Sequence, residues 1–61
     1  MMYNDAENKV REYLTDWNKN HVRGYTKNDL FFFMSGYIPE ITIKDASEIV
    51  SKMYNEGLLE D

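Results

Sequence analysis

Apolar residues recur at helical spacing in three segments of the chain. The first predicted helix runs from about residue 5 to residue 20. Its apolar positions follow i, i+4, i+7, i+8 and i+11 spacing and are Ala6, Val10, Tyr13, Leu14 and Trp17. Asn4 is a suitable N-cap, with Glu7 three residues later as in a capping box. Gly24 is expected to separate this helix from the next.

The second predicted helix begins after Thr26, an N-cap residue with Asp29 as its capping-box partner, and is expected to end near Gly36. Residues 30–34 are five consecutive large apolar residues, more than one helix face can bury. The predicted inner face consists of Leu30, Phe33, Met34 and Tyr37. Phe31 flanks that face and Phe32 points away from it.

Pro39 disfavours helical geometry at Ile38 and divides the second helix from the third. The third helix is predicted to begin after Thr42, with Asp45 at the capping-box position, and to end at Gly57 as its C′ residue. Its predicted inner face consists of Ala46, Ile49, Val50, Met53 and Tyr54.

The predicted fold is mostly α, a single three-helix domain that spans residues 1–61. It includes at most a short two-stranded β element, near Val22–Tyr25 and Leu58–Leu59, because strands this short are marginal alone. No apolar run approaches the length of a membrane span, and the N-terminus has no signal-peptide pattern. We therefore expect a cytoplasmic protein with no membrane association.

No residue pattern typical of catalysis is present. The chain has no Gly-rich phosphate loop and no Ser/His/Asp arrangement, and it has no cysteine and one histidine, His21. A lone histidine is insufficient for a His-based transition-metal site. The expectation is a protein that is not an enzyme, uses no metal or cofactor, and acts by binding.

The charge distribution is uneven in a molecule of net charge −4. Residues 17–28 hold Lys19, Arg23 and Lys27 and no acid, a local charge of +3. Arg23 and Lys27 are candidates for phosphate contacts beside the N-terminus of the second helix, where anions are favoured. The alternative is a cationic loop that only balances neighbouring acids.

The stretch from residue 25 to residue 60 resembles the winged-helix branch of the helix-turn-helix superfamily. The resembling segments are residues 25–30 (YTKNDL), 42–50 (TIKDASEIV) and 54–59 (YNEGLL). Two features depart from the family pattern. The turn between the second and third helices is longer than in the compact motif, and the chain stops at Asp61, where the wing hairpin would begin, so we expect no wing contact to DNA.

The resemblance implies that the third helix, residues 43–56, is a recognition helix. Its outward positions, as partner-binding or DNA-binding candidates, are Lys44, Ser47, Glu48, Ser51, Lys52 and Asn55. Such side chains can reach base edges or phosphates. However, two lysines against three acids give residues 43–56 a net charge of −1, whereas DNA binding normally uses a cationic excess. The alternative is a merely solvated helix face.

The surplus of apolar residues in the second helix indicates a partner or dimer surface formed by Phe31, Phe32 and Tyr37, since aromatic residues are enriched at protein contacts. The alternative is a helix held between the other two, with Phe32 partly exposed, which is ordinary for a single hydrophobic side chain.

These features favour a non-catalytic regulatory module that binds a protein partner and is itself a candidate homodimer. Asn, Lys, Tyr, Ile and Phe are abundant and have A/T-rich codons, which indicates an AT-rich bacterial or phage genome. A phage-encoded inhibitor or co-regulator of a host protein fits this picture. The alternative is a DNA-binding transcriptional regulator or an excisionase-like protein that reads DNA with residues 43–56.

Overall fold

Three helices form the fold in a computed structural model that describes residues 2–60. They are α1 (Tyr3–Asn20), α2 (Lys27–Tyr37) and α3 (Ile43–Asn55). The α2 helix makes most of its inter-helix contacts with α3, and α1 packs across α3. The predicted mostly-α class is confirmed.

The capping signals in the sequence form as hydrogen bonds in α2 and α3. The Thr26 hydroxyl accepts from the Asp29 amide at 3.1 Å and the Asp29 carboxylate accepts from the Thr26 amide at 3.3 Å, which confirms the capping box. Thr42 caps α3 by accepting from the Asp45 amide at 3.1 Å, but the second bond of the predicted capping box, from the Thr42 amide to the Asp45 carboxylate, does not form. At the end of α3, Gly57 has φ 81° and donates to the Tyr54 carbonyl, the left-handed C′ geometry that favours glycine.

Two helix ends differ from the prediction. The α1 helix begins at Tyr3 after Met2, which makes no side-chain cap, so Asn4 is inside the helix. The α2 helix passes through Gly36 to Tyr37, and the Ile38 amide still donates to the Met34 carbonyl at 2.8 Å. The glycine does not end the helix. The helix ends instead at Tyr37, because Pro39, three residues after Gly36, keeps Ile38 out of helical geometry.

The core lies where the three predicted inner faces meet. Its most deeply buried side chains are Val10, Leu14, Leu30, Met34, Ile38, Ile49 and Met53. The prediction was wrong at Tyr37 and at Tyr54, which are both exposed. The Lys27 ammonium lies 4.2 Å from the centre of the Tyr54 ring, a cation–π contact between the first residue of α2 and the last turn of α3.

Aromatic side chains line the contact between α1 and α2. Phe33 of α2 stacks on Tyr13 of α1, with ring centres 4.0 Å apart, and on its other side stacks on Tyr37 at 4.9 Å. The Tyr13 hydroxyl donates to the hydroxyl of Tyr25 at 3.1 Å, and Trp17 meets the Tyr25 ring edge to face. Burial raises the pKa of the Tyr25 hydroxyl above its ordinary value, and the hydrogen bond from Tyr13 raises it further by a smaller amount.

The predicted β element does not form within residues 2–60. The C-terminal segment, residues 58–60, instead runs along the loop between α1 and α2 with a single backbone bond, from the Glu60 amide to the Tyr25 carbonyl at 2.8 Å. Leu59 is buried, and Asn18 donates to the Leu58 carbonyl at 3.1 Å. Both segments are too short to build a ladder. Side-chain burial and a side-chain hydrogen bond therefore help to hold the C-terminal segment in place.

Candidate functional site

A surface between α2 and α3 combines exposed apolar side chains with a shallow pocket. The pocket has a volume of about 210 Å³ and is lined by Phe31, Ser35, Ile38, Pro39, Ile41, Thr42, Ile43 and Ala46. Phe31 is 39% exposed and Ile43 86% exposed. Phe32 is 82% exposed and lies beside Ser35, whose hydroxyl donates to the Phe32 carbonyl at 2.8 Å. We refer to Phe31, Phe32, Ile43 and this pocket as the α2–α3 surface.

The position of each exposed residue follows from its helix. Leu30 and Met34 take the buried stripe of α2, so Phe31 is turned to the edge of that stripe and Phe32 is turned away from it. Ile43 is the first residue of α3. The buried residues of that helix, which include Val50, begin about one turn later with Ala46. The outward direction of Phe32 confirms the prediction, whereas sequence reasoning missed Ile43. A bulky apolar residue directly after the N-cap was the available signal.

The pocket is small and its lining is mostly apolar. Its lining contains no charged side chain, and its volume is below the roughly 300–1,000 Å³ typical of small-molecule sites. A pocket of this size and composition suits one or two apolar side chains of another protein. Within residues 2–60, no group of three or more His, Asp or Glu side chains is placed to hold a metal ion.

Tyr37 is placed apart from the α2–α3 surface. It was predicted together with Phe31 and Phe32, but it extends the aromatic stack on Phe33 at the contact between α1 and α2. Although Tyr37 is exposed, one side of its ring is already occupied. The structure thus brings Phe31 together with the previously unpredicted Ile43 and places Tyr37 elsewhere.

The outward residues predicted on α3 are all exposed. Lys44, Ser47, Glu48, Ser51 and Asn55 form what we call the outer α3 face, which carries one lysine and one glutamate and so has no net charge. Lys52 is exposed but engaged, because its ammonium donates to the Glu7 carboxylate of α1 at 3.0 Å.

Lys52 belongs to an ion-pair network that joins α1 to α3 and that sequence reasoning did not predict in full. Arg11 donates to Glu7 at 2.8 Å, as expected for an i,i+4 pair, and to Glu56 at 2.6 and 3.0 Å. Arg11 lowers the pKa of Glu56. Arg11, followed by Lys52, lowers the pKa of Glu7. The network orients polar residues of α3 toward α1 and away from any ligand of the outer α3 face.

Replacing Arg11 by methionine should destabilise the fold at neutral pH and low salt, with a loss that shrinks in acid. The folded-state pKa values of Glu7 and Glu56 are lowered, so their pairing stabilises the fold above the unfolded pKa and is lost as the pH falls through the folded pKa. Urea unfolding of both proteins at about pH 7 and about pH 3 brackets the ordinary glutamate pKa of about 4.3.

Lys19→Met is the matched control for that experiment, because Lys19 is an exposed cation on the same helix outside the network. Its effect should be smaller at neutral pH. Added salt should also reduce the Arg11→Met loss, since exposed charges are screened. A loss that persisted unchanged at about pH 3 would show that Arg11 acts through the packing of its side-chain stem.

The two predicted phosphate-contact residues have different surroundings. Arg23 is exposed in the loop between α1 and α2, whereas Lys27 is half-buried over the Tyr54 ring. An anion at Lys27 would share its ammonium with that ring. The structure therefore leaves Arg23 as the more accessible cation of the two.

None of the helices within residues 2–60 combines the length and apolar character needed to cross a membrane. Comparison with known proteins finds no matching family model, curated protein or solved structure.

Proposed function

We propose that this chain is a non-catalytic regulatory module of the winged-helix type that binds a protein partner through the α2–α3 surface. The observation that carries the proposal is an uncharged, apolar pocket with exposed Ile43 in its lining and exposed Phe32 one helical turn before Ser35, another residue of the lining. Aromatic and aliphatic anchors around a pocket are the usual centre of a protein interface. An inhibitor or co-regulator encoded by a phage and directed at a host protein is the biological setting we favour.

The three-helix order and the two capped helices support the winged-helix assignment. The α2 helix, the turn through Pro39 and the α3 helix have the order of a helix-turn-helix, with Thr42 capping the helix that corresponds to a recognition helix. In this assignment, the turn residues Ile38, Pro39 and Ile41 form one wall of the pocket. The longer turn thus supplies an apolar wall to the surface that we propose as the contact site.

The test is affinity capture from cells of the encoding organism, or of its host if the gene belongs to a phage. Immobilised wild type, Phe32→Ser, Ile43→Ser and Val22→Ser are compared by quantitative mass spectrometry. Val22 is the matched control because it is a fully exposed apolar residue in the loop between α1 and α2, away from the surface. The partner should be retained by wild type and Val22→Ser.

Binding of the purified partner is then measured for each variant. Truncation of an interface anchor typically costs about 2 kcal/mol or more, so Phe32→Ser or Ile43→Ser should weaken affinity at least tenfold. Equal binding by all four proteins would place the interface elsewhere. Circular dichroism of each variant checks that the exposed substitutions leave the helices intact.

The DNA-binding alternative makes a different prediction, which we expect to fail. Phosphate contacts need accessible cations, yet Lys52 is paired with Glu7, and Lys44 shares the outer α3 face with Glu48. Fluorescence anisotropy against random-sequence duplex DNA should show no binding that weakens between about 50 mM and about 200 mM salt. Steeply salt-dependent binding would instead support a regulator that reads DNA with α3.

A further inference from the structure

We propose that the α2–α3 surface also binds a second copy of this chain, in a weak twofold dimer that conceals it until the protein partner displaces the second copy. The proposal rests on the proposed function in one respect, because it takes the same surface to be the binding surface. The occupant is argued from the shape of the surface, its charge and the size of the molecule.

Shape is the first argument, because the surface carries both a protrusion and a recess. Phe32 projects from α2 with 82% of its surface exposed, and the pocket opens beside it on the other side of Ser35. In a twofold contact the same patch of each subunit faces the other, so each Phe32 can occupy the other copy's pocket. A self-complementary patch of this kind needs no second type of surface.

The distribution of charge permits two copies to meet at this surface, although each copy has a net charge of −4. Like charges placed face to face would oppose association. The pocket lining contains no charged residue, and its segment Ile41–Ile43 is flanked by Glu40 and Lys44, which have opposite charges. The patch therefore has no local excess of one sign, and two identical patches can meet without repulsion at the contact.

Size sets the expected strength. The molecule measures 30 × 19 × 17 Å. One face then has a footprint of roughly 500 Å² against the about 800 Å² per partner of a standard interface, so we expect a weak dimer that dissociates in the micromolar range. A dimer this weak stabilises a small domain at high concentration and still yields the surface to a tighter partner.

Sedimentation equilibrium of the full chain from about 5 µM to about 1 mM covers this range. Wild type and the control Val22→Ser should change from monomer to dimer. Phe32→Ser, which removes the protrusion, and Ile43→Ser, which alters the pocket, should shift the midpoint at least tenfold upward. A wild type that stays monomeric throughout, or a dimer that neither substitution weakens, would overturn the proposal.

The absence of cysteine permits a second, independent readout. With Phe32 seated beside the second copy's Ser35, the two Ser35 side chains lie near the twofold axis. Ser35→Cys should therefore form a disulfide-linked dimer under mild oxidation, whereas Thr15→Cys, an exposed position on α1, should not. Equal cross-linking by both variants, or none by Ser35→Cys, would contradict this geometry.

These measurements use the purified chain alone, so their failure is distinct from failure of the proposed function. A monomeric wild type that loses its captured partner on Phe32→Ser substitution would overturn the dimer and leave the proposed function in place. If Phe32→Ser weakened the dimer while the partner still bound that variant normally, the dimer would stand and the proposed function would be overturned.

Discussion

Leu30→Ala should remove more than half of the stability of the fold, and we expect this to be the most damaging single substitution of those we describe. Leu30 is 0% exposed and lies in the core between the three helices. Truncation of a buried leucine to alanine costs about 2–5 kcal/mol. A domain of 61 residues has a total stability of only about 3–9 kcal/mol at typical values per residue, so the loss removes most of it.

Phe32→Ala is the matched control, because it truncates a larger apolar side chain only two residues away on the same helix. Phe32 is 82% exposed, so its removal should change stability by less than about 0.5 kcal/mol. Urea unfolding followed by circular dichroism, at a protein concentration below that of the proposed dimer, separates the two. Similar losses in both variants would mean that Phe32 packs into the core.

This contrast between Leu30 and Phe32 could be predicted from the sequence because it depends on local geometry. Five consecutive large apolar residues cannot all face one side of a helix, and the Thr26–Asp29 capping box fixes where the helix begins. The end of α2 was less predictable. Gly36 and Pro39 are competing stop signals three residues apart, and only the proline acts as one.

Much of the candidate site could not be predicted, because it depends on how separate helices meet. The pocket forms from α2, the turn through Pro39 and the start of α3, so no single periodic segment contains it. The paired residues Arg11 and Glu56 are 45 residues apart in the sequence. Tyr54, which was predicted in the core, instead contacts Lys27 of α2. Helical spacing predicts on which face of a helix a residue lies. Which other residues pack against that face is decided by the tertiary structure.

The choice between a protein and a DNA partner also depends on contacts that only the tertiary packing creates. In the sequence, the net charge of −4 favours a protein partner over DNA. The structure adds to that argument, since Lys52 is engaged by Glu7 and the apolar exposure is concentrated at Phe32 and Ile43. The polar outer α3 face, which the winged-helix resemblance singled out, has no net charge.

Gly24→Ala should destabilise the fold by about 1–3 kcal/mol, the range for forcing an extra carbon into a packed site. A Cβ atom at Gly24 would lie 2.6 Å from the Glu60 Cβ, which is closer than two non-bonded carbon atoms approach each other. The Glu60 Cβ is attached to the backbone, so it cannot move away as the end of a flexible side chain could. The C-terminal segment would therefore have to move. The bond from the Glu60 amide to Tyr25 and the burial of Leu59 would be lost with it.

Gly36→Ala is the matched control and should have the opposite sign. A Cβ there meets no atom within 4 Å, and Gly36 lies inside α2 without a positive φ, so alanine should stabilise the helix by about 0.5–1 kcal/mol. Thermal unfolding ranks the three proteins, and hydrogen exchange of the Glu60 amide reports the segment directly. Stabilisation of Gly24→Ala, with an unchanged Glu60 amide, would contradict this expectation. It would show that the loop between α1 and α2 shifts to admit the extra carbon while residues 58–60 stay in place.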